Sequence, residues 1–233
     1  GHAFAKWWDR FHKDHPDYFA LTHLGKREPL PDPRPVGPKP AAAPFTERER
    51  SFVKLCVSNP GVTEQIIKDW LPRKDLNRYV NACENDMPYG FCQCAECVKL
   101  DVRKEGEKFG QHLADRYVFL ANQVAREAQK HRADAASTMY AYGPAEQPPR
   151  REKLRPNVVV GMTPTDFDLK NLEAWFGGWK AAGATEMQIR PNFHWYYATI
   201  SLPMGYEKHM FDALQLALKS GCIAADFDSI KRN

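Results

Sequence analysis

Residues 81–101, NACENDMPYGFCQCAECVKLD, set Glu84, Asn85 and Asp86 in succession just ahead of three crowded cysteines, Cys92, Cys94 and Cys97. Two carboxylates flanking an amide are groups that can protonate a leaving oxygen, hold a reacting carbonyl or bind hydroxyls. Three thiols in a C-x-C-x-x-C pattern can ligate a metal, close a disulfide or stay free. A closed structural zinc site takes four ligands, and the sequence offers Cys83 or His112 as the fourth. The disulfide alternative joins Cys97 to Cys92 or to Cys94. In each case the cysteines stiffen the loop that follows the carboxylates. No base is placed beside them by the sequence, so none reads as a nucleophile. The remaining cysteines, Cys56, Cys83 and Cys222, lie in apolar or strand-like runs where a free thiol acts as a small hydrophobe.

The elements that must position these groups follow from periodicity. SFVKLCVS (51–58) reads as a short strand, then Asn59 as N-cap, Pro60 at the first helical position and GVTEQIIKDWL as helix. RYVNACEN is a second strand, and KFGQHLADRYVFLANQVAREAQKH has apolar residues at helical spacing. AASTMYAY and NVVVGMT read as strands, DLKNLEAWFGGWKAAG as helix, TEMQIRPN as strand, GYEKHMFDALQLALKSG as helix and CIAADFD as strand. Trp175, Phe176 and Trp179 share helical spacing and read as packing of helix on sheet. Residues 29–44, PLPDPRPVGPKPAAAP, form a Pro-rich surface loop.

About six strands separated mostly by helices predict an α/β fold with a parallel sheet. A doubly wound sheet and a barrel share this signature. The chemistry-bearing residues fall at the C-terminal ends of nearly every strand rather than at one crevice, which favours a TIM (β/α)8 barrel. With about eight units in a closed barrel, residues 1–233 read as a single, partial barrel domain of about six βα units. Large aromatics crowd the first residues and a strand-like run closes the last, so the chain reads as an excised portion of a longer protein.

In that fold the pocket is floored by Ser58, Asn59, Glu84, Asn85, Asp86, Tyr140, Tyr142, Thr163, Arg190, Asn192, His194, Trp195, Asp226 and Asp228. Carboxylates, amides and aromatic faces suit a sugar: rings stack on its apolar faces and polar groups take its hydroxyls. Glu84 or Asp86 can face Asp226 or Asp228 across the barrel mouth, with Glu84 the candidate general acid and Asp226 or Asp228 the alternative acid or partner. Where a sugar carries a 2-acetamido group, its carbonyl can act as nucleophile, and Asn85 and Asp86 would orient it. Asn59, Tyr140, Tyr142, Arg190, Asn192, His194 and Trp195 are the candidate substrate contacts.

Other classes lose ground. The net charge of +4 is spread along the chain with no long Lys/Arg run, which leaves nucleic acid and anionic membranes without a footprint. No apolar stretch approaches a membrane span. There is no G-x-G-x-x-G, no P-loop and no G-x-S-x-G. The strand ends lack the His and carboxylate set of a catalytic zinc, so no cofactor is required, and a structural zinc at Cys92, Cys94 and Cys97 stays one alternative beside a disulfide or free thiols.

Several stretches taken in order, GHAF, HPDYFAL with GKR, KLCVSNPGV, END...GFCQCAEC, MYAYGPAEQPP with RPNVVVGM, and LEAWFGGWK with a downstream LPMG, resemble the bacterial domain-of-unknown-function family 4838. Members of that family have been grouped with glycoside hydrolase family 163, endo-β-N-acetylglucosaminidases acting on N-glycans. The resemblance implies a TIM-barrel catalytic domain with flanking domains, in secreted or surface-attached bacterial proteins. It implies a retaining, substrate-assisted mechanism on a carbohydrate or glycoprotein substrate, and a pocket lined by His2, Asn59, Glu84, Asn85, Asp86, Tyr142 and positions near Asn192. A non-catalytic carbohydrate-binding barrel is the alternative reading, and a zinc-dependent interaction module built on the cysteine loop a third.

Overall fold

Five short β-rich runs pair side by side in the computed structural model, which describes residues 2–33, 44–164, 167–191 and 207–226. They are β1 (Tyr79–Asn81), β2 (Ala136–Ala141), β3 (Val158–Met162), β4 (Glu186–Ile189) and β5 (Cys222–Ala225). All four pairings are parallel and the spatial order is β1-β2-β3-β4-β5, with no reversal along the sheet. Parallel neighbours need crossovers, and helices supply most of them: α5 (Ala114–Gln129) before β2, α6 (Leu169–Ala181) before β4 and α7 (Glu207–Lys219) before β5. Shorter helices α1 (Trp7–Phe11), α2 (Glu47–Ser51), α3 (Pro60–Trp70) and α4 (Ala95–Leu100) surround the N-terminal side. No helix among the described residues is long and apolar enough to cross a membrane.

The helices begin where their caps place them. Asn59 Oδ1 accepts the Gly61 N–H at 2.9 Å with Pro60 in the first turn of α3, and Asp168 accepts from Asn171 at the start of α6. Thr46 and Glu49 form a reciprocal capping box on α2. The expected helix over 108–131 starts only at Ala114, because Gly110 adopts φ +85° and breaks the run ahead of it.

The sheet has two unlike faces. Strand alternation sends Val80, Ser137, Met139, Val158, Val160, Met162, Met187 and Ile189 to one side, all buried. Ser137 Oγ donates to the Ala121 carbonyl of α5 at 2.8 Å on that side, where Val118, Leu120, Val124 and Ala128 complete the core. The opposite side carries Asn81, Thr138, Tyr140, Glu186 and Gln188, half-buried or exposed, together with buried Ala136, Val159 and Gly161. Trp175, Phe176 and Trp179 are buried as expected, and both indole N–H groups donate to the Glu146 carbonyl, at 2.6 and 3.0 Å.

One expected strand is corrected. Residues 51–58 do not join the sheet: Ser51 ends α2, Leu55 makes a single antiparallel bridge to Phe19, and the rest of the segment is irregular. Its backbone is claimed by Ala20 and Tyr18 on one side and by side chains at the end of β1 on the other. A Lys within an apolar run explains why: Lys54 is buried and its ammonium must find carbonyls, which it takes from Asn85 and Asp86.

Candidate functional site

The chain leaving β1 passes through Ala82 and Cys83 into Glu84-Asn85-Asp86, and two neighbouring segments fasten it there. Ala3 N–H donates to the Cys83 carbonyl, and Phe4 N–H to Asn85 Oδ1 at 3.1 Å. Asn85 Nδ2 donates to the Val53 carbonyl at 2.8 Å. The Asn85 amide is thus used at both ends by backbone and the residue is 4% exposed, so it positions the loop rather than offering a free amide to a ligand. Asp86 Oδ1 accepts its neighbour's N–H at 2.8 Å, and the next residue, Met87, has φ +80°. Positive φ costs a non-glycine residue about 1 kcal/mol or more, and this strain stands at the lip of a cavity.

That cavity has a volume of about 210 Å³. Its walls come from the loop after β1 (Glu84, Asn85, Asp86, Met87), the N-terminal segment (His2), the end of β2 and its loop (Tyr140, Tyr142, Glu146) and the end of β3 (Thr163). Lys54, Phe91 and Tyr117 close it from below. It sits outside the carboxyl ends of parallel strands, where α/β sheets bind ligands.

Glu84 has a carboxylate held from both sides. Oε1 accepts the Asn85 N–H at 2.8 Å and Oε2 the Leu55 N–H at 3.3 Å. Burial pushes its pKa above the usual carboxylate range, outweighing the Lys54 ammonium and the two N–H donors that favour the ionised form. The same burial depresses the Lys54 ammonium to about 8, against the attraction of Glu84 and Asp86, and the cation also lies 5.3 Å from the Phe91 ring centre. Tyr117 is pushed well up by burial and then by the charge of Glu84. His2 Nδ1 donates to the Glu84 carbonyl at 2.5 Å, its Nε2 stands 3.9 Å from Asp86 Oδ1, and its ring meets Tyr140 edge-on at 6.1 Å. The cavity therefore combines a carboxyl whose pKa burial raises, a partly exposed carboxylate and aromatic walls.

Of the residues singled out from sequence, His2, Glu84, Asn85, Asp86, Tyr140, Tyr142 and Thr163 line this one cavity. Asn59 does not: its amide caps α3 and donates to Asp17 at 2.7 and 3.0 Å. Arg190 and Asp226, at the ends of β4 and β5, pair with each other and line no part of it, although the Arg190 guanidinium lies 5.7 Å from the Tyr140 ring centre. Asn192, His194, Trp195 and Asp228 lie outside the described residues, as does most of the Pro-rich loop. Lys54, Tyr117 and Glu146 were not singled out. A charged residue inside the apolar run SFVKLCVS was the available signal for the first, and the strand-end loop YGPAE for the third.

The cysteines gather as well, with a different fourth member. Neither Cys83, whose thiol faces the Thr138 carbonyl at 3.6 Å, nor His112, which lies 3.6 Å from Asp115, is in the group. Cys56 is: the sulfurs of Cys56, Cys92, Cys94 and Cys97 all lie within 4.8 Å of one another. All six cysteines are free, so neither proposed disulfide is formed.

A family model described as Domain of unknown function (DUF4838) matches residues 1–175. No curated protein and no solved structure matches the chain.

Proposed function

The chain belongs to the family described as Domain of unknown function (DUF4838), and from that premise we propose that it carries the catalytic site of a glycoside hydrolase acting on a β-linked N-acetylglucosamine, as in an N-glycan. The observation that carries the reading is Glu84: a carboxyl raised by burial, on the wall of an aromatic-lined cavity at the carboxyl ends of parallel strands. Glu84 is the general acid that protonates the leaving oxygen. Asp86, half-exposed and next to His2, holds the acetamide N–H as the sugar's own carbonyl attacks the anomeric carbon with retention. Glu146, on the loop after β2, replaces Asp226 as the further carboxylate of the pocket, since Asp226 is committed to Arg190. Tyr140 and Tyr142 supply stacking faces. The cavity is smaller than the about 300–1,000 Å³ of pockets that enclose drug-sized ligands, which suits one sugar ring of a longer glycan.

The fold we infer is a portion of a (β/α)8 barrel. Support comes from strand order without reversal, which under the general rule of right-handed crossovers keeps the helices on one side, and from a second face that mixes polar residues with buried Val159 and Ala136. Parallel sheets are covered on both faces, and barrel closure is what covers that second face without helices. The parent protein is proposed to be extracytoplasmic, with a glycoprotein or free glycan as partner.

A second reading is favoured by one observation. Both Glu84 oxygens accept backbone N–H groups, an arrangement that also serves a purely structural carboxylate in a carbohydrate-binding pocket. Release of labelled oligosaccharide from an N-glycoprotein, with Glu84→Gln in parallel, separates the two. Turnover lost in the variant with binding retained supports the hydrolase, and glycan binding without product from the wild type supports the binding protein.

A further inference from the structure

The four-cysteine group stands apart from the cavity, and its geometry is that of a ligand set. Cys56 Sγ is 3.7 Å from Cys94 Sγ and 3.9 Å from Cys97 Sγ. Four sulfurs at Zn–S bonds of about 2.3 Å in a tetrahedron stand about 3.8 Å apart, close to these separations. Disulfide sulfurs would be at about 2.05 Å, and unconnected thiols have no reason to converge from two distant segments. Cys56, Cys92 and Cys97 are 4%, 1% and 0% exposed, so an ion here would be shielded from competing oxygen ligands.

The surroundings are built for thiolates. Leu21 N–H points at Cys92 Sγ at 3.3 Å and Cys97 N–H at Cys94 Sγ at 3.4 Å. The Ser58 hydroxyl lies 3.2 Å from Cys97 Sγ and 3.7 Å from Cys94 Sγ. Arg27, half-buried beside Cys56, has its guanidinium anchored on the Phe19 carbonyl. Four thiolates around a divalent ion carry a net charge of −2, and a half-buried cation with N–H and O–H donors compensates it. Cys94 and Cys97 form the C-x-x-C pair, Cys92 precedes them by two residues, and Cys56 arrives from 36 residues upstream, from the irregular segment that failed to join the sheet.

We infer that Cys56, Cys92, Cys94 and Cys97 bind one Zn²⁺ in a closed, structural tetrahedral site that staples the segment 53–58 to the loop following Glu84. Binding releases the thiol protons and leaves no open coordination position, so the ion takes no part in bond cleavage. Its place explains how the cavity floor is held without a backbone ladder. Lys54 is two residues from one ligand, and Phe91 adjoins another. The ion fixes the two strands of chain between which Lys54 reaches Asn85 and Asp86.

The test does not depend on glycan turnover. Elemental analysis of the whole chain purified without chelator should give one zinc per chain. Zinc X-ray absorption on the same wild-type sample should give a shell of four sulfurs at about 2.3 Å. Cobalt exchanged into the site should show the intense visible bands of a tetrahedral thiolate ion. Cys56→Ser should weaken or abolish metal retention, whereas Cys83→Ser and Cys222→Ser should keep one equivalent. A metal-free wild type, a shell containing nitrogen or oxygen, stoichiometric iron instead of zinc, or full retention by Cys56→Ser would each overturn the proposal. The wild-type absorption measurement decides the matter even if Cys56→Ser fails to fold.

Discussion

Replacing Lys54 by Met probes the cavity floor from both the stability and the catalytic side. Burial lowers the Lys54 pKa from 10.5 to about 8, which at about 1.4 kcal/mol per pH unit is a penalty of order 3 kcal/mol for keeping the ammonium charged in the fold. The sign follows from proton counting. Between about pH 8 and 10.5 the unfolded chain holds this proton and the folded chain has lost it, so wild-type stability gains up to about 3 kcal/mol as pH rises through that window. Lys54→Met lacks the group and lacks the gain. It leaves the Asn85 and Asp86 carbonyls without their donor, a cost of about 1–3 kcal/mol that does not change with pH and cancels in the comparison. Urea denaturation of both proteins below and above the window reads the difference. The same substitution removes the cation that opposes the raised pKa of Glu84, so the alkaline limb of activity should move to higher pH. A stability gap that stays constant across the window would refute the buried-ammonium account, and an alkaline limb that moves down would refute its coupling to Glu84.

Other expectations bear on the scaffold and the pocket wall. A Cβ on Gly161 would stand 2.6 Å from Tyr140 Cδ1 and 3.2 Å from Gln188 Nε2, so Gly161→Ala should displace the Tyr140 ring and raise KM by about tenfold, with thermal stability reduced modestly. Kinetics with an unchanged KM would remove Tyr140 from the sugar contact. Asp115 is fully buried and accepts the N–H groups of Arg150, Arg151 and Glu152 at 3.0, 2.7 and 2.8 Å, so Asp115→Ala should cost about 3–5 kcal/mol in urea denaturation. A loss below about 1 kcal/mol would mean that water replaces the carboxylate.

Much of this architecture was legible residue by residue. Periodicity located β1 to β5 and the helices α3, α5, α6 and α7 because each buries a face against the sheet, and that burial imposes the 2.0 or 3.6 repeat. Asn59 and Pro60 marked the start of α3 through backbone chemistry that is local to the chain. The short helices α1, α2 and α4 were missed because five or six residues carry too little periodicity to register. The segment 51–58 has the composition of a strand, yet its role is set by where Lys54 finds acceptors, which is a tertiary fact. The same limit hid the fourth sulfur: Cys56 looked like a small core residue, and only the fold brings it to Cys92, Cys94 and Cys97. Six of the residues picked at strand ends line one cavity because strand ends converge in space whether or not each residue has a role there, and His2, expected from the family resemblance, joins them from the N-terminal segment. Asn59 and Asp226 were picked by the same logic and are used elsewhere, one as a cap and one as an ion-pair partner.

The central claim is that Glu84 delivers the proton to the leaving oxygen, and dependence on the leaving group tests it most directly. Wild type and Glu84→Gln should be compared on the natural glycan and on a dinitrophenyl β-glycoside of the same oligosaccharide, whose leaving group departs without protonation. The account predicts that the variant loses about 10²–10⁴-fold on the natural glycan and little on the activated one. Equal losses on both substrates, or full activity on the natural glycan, would contradict it.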